Sequence, residues 1–66
     1  MNTNLQVGKE YRVVKAPQGE YLTVGGVYVL DSLSKSTVGL HRSSDGAGTY
    51  VTRWAVGTGR IVLEAL

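Results

Sequence analysis

The residue types that usually carry enzymatic chemistry are scarce in this chain of 66 residues. There is no cysteine, and His41 is the only histidine, so neither a Cys–His pair nor a thiolate zinc site can form. A serine–histidine–aspartate set can be assembled only by joining this histidine to Ser43 or Ser44 and to Asp45, its neighbours around one turn. Such a turn offers no enclosure and no preorganised oxyanion site. The sequence therefore predicts a protein that is not an enzyme.

Metal and cofactor sites are not predicted either. The carboxylates show no paired spacing typical of a metal site or of acid–base catalysis; they are Glu10, Glu20, Asp31, Asp45 and Glu64. The segment 57–60, Gly-Thr-Gly-Arg, shares only its glycines with a phosphate loop, because no helix start and no Lys-Ser/Thr pair follows it.

The aromatic and basic side chains are the candidates for binding. Trp54 either covers one end of the core or serves as a surface anchor, since Trp, Tyr and Arg are enriched in binding hot spots. Arg53 is its neighbour and Arg42 lies across the same predicted hairpin, so a compact basic–aromatic patch is expected. The alternative is that these arginines pair with carboxylates on neighbouring strands and serve stability alone. The residues predicted to contact a protein partner are Tyr21, Arg42, Tyr50, Arg53 and Trp54.

A nucleic acid is the alternative partner, because single strands stack on aromatic side chains within basic grooves. The residues predicted for that role are Arg12, Lys15, Arg42, Arg53 and Arg60. The formal charge is only +2 and the basic residues are spread along the chain. This distribution favours a mixed, solvated surface over a dedicated nucleic-acid footprint.

Glycine, valine, threonine and tyrosine predict short strands joined by tight turns, and no helical apolar pattern lasts for three turns. Reversals are expected at Gly25-Gly26 and at Asp45-Gly46. The predicted strands cover residues 9–15, 27–33, 37–42, 49–54 and 61–66, with a single 3₁₀ turn or loop at 55–59. We expect a flexible tail at residues 1–6 and a single domain at residues 7–66.

An open sheet of five short strands buries little apolar surface. Closing the sheet into a barrel also removes the exposed edge strands, which are prone to pair with other chains. The sequence therefore predicts an all-β fold, a small, strongly bent five-stranded barrel. Tyr11 and Val13 are expected in its core from the first strand, Tyr28 and Leu30 from the second, and Ile61 with Leu63 from the last.

The run from Leu22 to Leu30, Leu-Thr-Val-Gly-Gly-Val-Tyr-Val-Leu, resembles the diverging turn and second strand of SH3-like barrels. The later order of elements is similar as well, with a hairpin at Asp45-Gly46 and a short turn before the last strand. This resemblance implies a free-standing module that docks on another protein. The acidic–aromatic Ala-Leu-Tyr-Asp-Tyr segment and the paired tryptophan of peptide-binding SH3 domains are absent, so polyproline recognition is not implied.

Two narrower resemblances bear on the partner. The segments 7–9, Val-Gly-Lys, and 11–13, Tyr-Arg-Val, are similar to the KOW-type variant of this barrel, which implies RNA or DNA binding. Residues 21–25 and 63–66 resemble small phage-encoded proteins of the same fold, which implies a host factor or a viral component as the partner.

The sequence contains no apolar run of about eighteen residues, so no membrane span is predicted. The first residues lack the basic and apolar segments of a signal peptide. We therefore expect a cytoplasmic protein, in the host cytoplasm if it is viral.

Overall fold

Five antiparallel strands form a single sheet in the computed structural model, which describes residues 5–19 and 21–66. The elements are β1 (Glu10–Lys15), β2 (Val27–Leu33), β3 (Thr37–Arg42), β4 (Gly48–Thr52), the short helix α1 (Arg53–Gly57) and β5 (Val62–Ala65). The strands lie in the order β4-β3-β2-β1-β5. The all-β prediction is confirmed.

Period-two alternation decides which side chains enter the core. On β1, Tyr11 and Val13 are buried while Arg12 and Val14 are exposed. On β2, Tyr28 is buried and its neighbour Val29 is half-buried, because this strand is central in the sheet and pairs with β1 on one side and β3 on the other. The predicted facing of both strands is confirmed.

All five strands and the helix contribute to one apolar core. Its members are Tyr11, Val13, Leu22, Tyr28, Leu30, Val38, Leu40, Val51, Ala55, Val56, Ile61 and Leu63. Burial of one such large side chain contributes about 1.5–3 kcal/mol. The predicted tail covers residues 1–6; residues 1–4 lie outside the described residues, and Leu5 packs partly against the core.

The two predicted reversals are present. Gly25 has a φ of 89°, and its N–H donates to the carbonyl of Val13 (2.7 Å). Gly46 has a φ of 75°, and its N–H donates to the carbonyl of Arg42 (2.7 Å). Glycine suits both positions because it adopts positive φ without a steric penalty.

The sheet does not close into the predicted barrel. Within the described residues β4 and β5 are the two edges, and no strand pairing joins them. The chain between them forms α1, which buries Ala55 and Val56 in the core, and the N–H of Ile61 donates to the carbonyl of Ala55 (3.1 Å). The prediction of a closed barrel is therefore wrong: side chains of α1, and no strand pairing, cover the core between the two edge strands.

The prediction also misplaced the end of β4. The strand ends at Thr52 rather than Trp54, and an α-helical turn replaces the 3₁₀ turn expected at 55–59. The cause is local: the hydroxyl of Thr52 accepts the N–H of Ala55 (3.2 Å) and so caps the helix. At the other end the hydroxyl of Thr58 donates to the carbonyl of Trp54 (2.8 Å).

Two buried tyrosines connect the sheet to the segments outside it. Tyr11 and Tyr28 face each other in the register of β1 and β2. The hydroxyl of Tyr11 accepts the N–H of Gln6 (2.9 Å), and the hydroxyl of Tyr28 accepts the N–H of Thr23 (3.0 Å). Each ring therefore packs in the core while its hydroxyl holds a loop.

Tyr28→Phe should lower the free energy of unfolding by about 1 kcal/mol, because the substitution leaves the N–H of Thr23 without its acceptor. Urea denaturation measures this change. Tyr50→Phe is the matched control, since this exposed hydroxyl forms no hydrogen bond with the described residues. Equal stability of the two variants would contradict the assignment.

Candidate functional site

The aromatic side chains divide into a buried and an exposed group. Tyr11 and Tyr28 are 0% and 1% exposed, whereas Tyr21, Tyr50 and Trp54 are 87%, 73% and 65% exposed. The two alternatives for Trp54 were a cover for the core and a surface anchor. Its side chain lies at the surface, because α1 directs the next two residues into the core instead.

Trp54 lies in a basic surface formed by α1 and two adjacent turns. The guanidinium carbon of Arg60 lies 5.6 Å from the centroid of the Trp54 ring, within the range of a cation–π contact. Nη1 of Arg53 donates to the carbonyl of Ser34 (3.0 Å), and its backbone N–H donates to the carbonyl of Ser36 (2.9 Å). These bonds attach α1 to the β2–β3 turn on both sides of Lys35. We call Lys35, Arg53, Trp54 and Arg60 the α1 surface.

The cations of the α1 surface have no acidic counterpart in the described part of the chain. The carboxylate contacts there are the ion pair of Arg42 with Asp45 and the hydrogen bond of His41 with Asp31. Lys35, Arg53 and Arg60 belong to neither pair. Their positive charges are therefore exposed to solvent and not compensated by a neighbouring carboxylate.

A second feature, an open groove of about 550 Å³, lies between the loop before β2 and the β3–β4 hairpin. Its lining residues are Tyr21, Leu22, Thr23, Tyr28, Arg42, Ala47, Gly48 and Thr49. Two of the residues predicted to contact a protein partner, Tyr21 and Arg42, meet here.

Arg42 is held by the turn that follows it. Its Nε and Nη2 donate to the two carboxylate oxygens of Asp45 at 3.0 and 2.8 Å. The backbone N–H of Ala47 donates to the same carboxylate (3.0 Å). The Arg42 hydrogen bonds first, and the Ala47 N–H next, lower the pKa of Asp45 from 3.8 to about 2.

The structure separates Arg42 from Arg53 and Trp54, which were expected to form one patch. Arg42 lies at the turn end of the hairpin, where its N–H donates to the carbonyl of Ala47. Arg53 lies at the opposite end, beside Ser36. The six residues of β3 between these ends span about 20 Å at about 3.4 Å per residue.

The remaining predicted residues lie elsewhere on the sheet. The Tyr50 ring lies over Gly39 and does not line the groove. Arg12 is opposite Glu64 of β5 in the register, and Lys15 follows a bulge in β1. The five basic residues predicted for nucleic acid are therefore not brought together on one face.

The turn residues weighed for catalysis are engaged separately. Nδ1 of His41 hydrogen-bonds to Asp31, which lies at a bulge in β2. The hydroxyl of Ser43 donates to Glu10 (3.3 Å), and Asp45 holds Arg42. Within residues 5–19 and 21–66, no three histidine or carboxylate side chains are grouped so that they could hold a metal ion.

Sequence reasoning missed the contribution of Arg60 and Lys35 to the surface around Trp54. Arg60 reaches the indole because the chain turns back at Thr58 and Gly59 after α1, and that helix was not predicted. The threonine at 52, a helix-capping residue type followed by Ala55-Val56, is the signal that could have indicated it.

Comparisons with protein-family models, with curated proteins and with solved structures find no match. Among the described residues, none of the helical structure is long and apolar enough to cross a membrane.

The Arg42–Asp45 pair predicts an acid-sensitive contribution to stability. The folded-state pKa of Asp45, about 2, lies below its ordinary value of 3.8, so the ionised carboxylate stabilises the fold above about pH 4. This contribution is lost as the pH falls towards 2. Asp45→Asn should therefore lower the thermal unfolding midpoint at pH 5–7, and the difference from wild type should shrink as the pH falls from 4 towards 2.

Arg42→Gln provides the matched background for that measurement. In this background Asp45→Asn should have a smaller effect at pH 5–7, because the main partner of the carboxylate is absent. A difference between wild type and Asp45→Asn that is unchanged from pH 7 to pH 2 would exclude the ion pair as its cause.

Proposed function

We propose that this chain is a non-enzymatic binding module that docks on another protein through the α1 surface. The observation that carries the proposal is the exposure of Trp54 with the guanidinium of Arg60 over its ring. Tryptophan and arginine are the residue types most enriched among those that dominate binding energy. Trp54 is 65% exposed, so most of its ring is accessible to a partner.

The backbone that carries Trp54 is held in place by several contacts. The helix that carries it is capped by Thr52, anchored by two buried residues and attached to the β2–β3 turn through Arg53. The indole is therefore presented by a backbone held at several points. A preorganised side chain loses less conformational entropy on binding than one on a free loop.

We infer further that the module is SH3-like with one open side. The support is the order of elements around the turn at Gly25, with a short helix before the last strand. The resemblance of residues 21–25 and 63–66 to phage-encoded proteins makes a host factor or another viral component the proposed partner. The cytoplasm of the host is then the proposed location.

An affinity pull-down tests the proposal. Immobilised wild type should retain a partner that Trp54→Ala loses, with at least about tenfold less recovered, as expected for a hot-spot residue. Tyr50→Ala is the matched control, because it removes an exposed aromatic ring outside the α1 surface.

Three outcomes of the pull-down would contradict the proposed site. The first is that wild type retains no partner, and the second is that correctly folded Trp54→Ala retains every one of them. Loss on Tyr21→Ala alone would move the site to the groove. Folding of Trp54→Ala is checked by thermal unfolding, which should change little because only an exposed cation–π contact of about 0.5–1 kcal/mol is removed.

KOW-like RNA or DNA binding is the alternative, and the pairing of an aromatic ring with Arg60 is the feature that favours it. If the five predicted basic residues each contacted a phosphate, affinity would fall with salt with a logarithmic slope of about −3.5 to −4.5. An electrophoretic shift measured from low to high salt would reveal that slope. We expect no shift, because Arg42 is paired with Asp45, and Arg12 and Lys15 lie on β1 whereas Arg53 and Arg60 belong to the α1 surface.

A further inference from the structure

The guanidinium of Arg53 presents an unused pair of donors. Nη1 donates to Ser34, whereas Nε and Nη2 form no hydrogen bond with the described residues. The corresponding pair of Arg42 holds both oxygens of the Asp45 carboxylate. Arg53 is already oriented by its bond to the carbonyl of Ser34. Its free Nε and Nη2 are the same two donors with which Arg42 binds the carboxylate of Asp45.

Arg60 contributes a second guanidinium group. Its central carbon lies 5.6 Å from the centroid of the Trp54 ring, so its positive charge is held beside the indole. Lys35 adds a third positive charge from the turn to which Arg53 is bonded. The α1 surface thus combines the guanidinium group of Arg53, oriented by its bond to Ser34, with that of Arg60, an ammonium group and an apolar ring.

We infer that the α1 surface binds an acidic peptide segment of the partner protein, in which carboxylates flank an apolar side chain. The inference rests on the proposed function and names the class of partner. In this arrangement Arg53 and Arg60 take carboxylates, and the apolar side chain packs on the exposed part of the indole.

Charge and shape favour a peptide over a nucleic acid at this surface. Double-stranded DNA carries one charge per about 1.7 Å, and its binding needs a long basic track. Here the α1 surface offers three cations, on a molecule whose longest extent is 27 Å. The indole is the only aromatic ring of the α1 surface and is partly covered by Arg60, which leaves little platform for successive bases.

Trp54 is the only tryptophan of the chain, so its fluorescence reports directly on this surface. The full chain is titrated with a short synthetic peptide of glutamates around a central leucine, by fluorescence and by isothermal titration calorimetry. We expect saturable binding that weakens with salt. Arg53→Gln should weaken it about tenfold, whereas Arg12→Gln, which removes a cation opposite Glu64 on the sheet, should not.

Two further ligands sharpen the test: the same peptide with every glutamate replaced by glutamine, and a single-stranded oligonucleotide of equal charge. Equal binding of the glutamine peptide would overturn the inference, as would tighter binding of the oligonucleotide or no binding of the acidic peptide at low salt. If one of these results is obtained but Trp54→Ala still loses a partner in the pull-down, only the inference that the partner segment is acidic is refuted. If no partner depends on Trp54, the proposed function itself fails.

Discussion

The opposed tyrosines Tyr11 and Tyr28 supply the constraint on which the rest of the structure depends. Both rings fill the core from neighbouring strands, and both hydroxyls accept an N–H from a segment outside the sheet. A buried hydroxyl left without a partner costs about 1–3 kcal/mol. Correct packing of the rings and correct placement of the segments at Gln6 and Thr23 therefore stabilise each other.

The helix α1 links the stability of the fold to its surface chemistry. Its buried residues, Ala55 and Val56, cover the core between the edge strands. Its first two residues, Arg53 and Trp54, are exposed at the surface. A chain of this size has few elements to spare for binding alone. The element that completes the core is consequently the one that presents the proposed binding side chains.

Alternation of apolar residues was enough to predict the facing of Tyr11 on β1 and Tyr28 on β2, because a half-buried strand shows its faces in its sequence. It was not enough to predict α1, since five residues are too few to display a helical period. The stacking of Arg60 on Trp54 depends on that helix, so local pattern could not reveal it. Arg42 and Arg53 both belong to the predicted hairpin, and for that reason they were expected to lie close together. The distance between them depends on the length and register of β3, which the sequence pattern did not reveal.

Gly39 differs from the turn glycines because its φ is not positive, yet it lies beneath the ring of Tyr50. A Cβ at this position would lie 3.0 Å from that ring and would also meet the hydroxyl of Ser32. Asparagine can replace glycine at a left-handed turn, but no other residue lacks a Cβ. As chains of this kind diverge in evolution, a side chain at position 39 should therefore appear only together with changes at positions 32 and 50, whereas Gly46 can be replaced only by a residue that tolerates a positive φ.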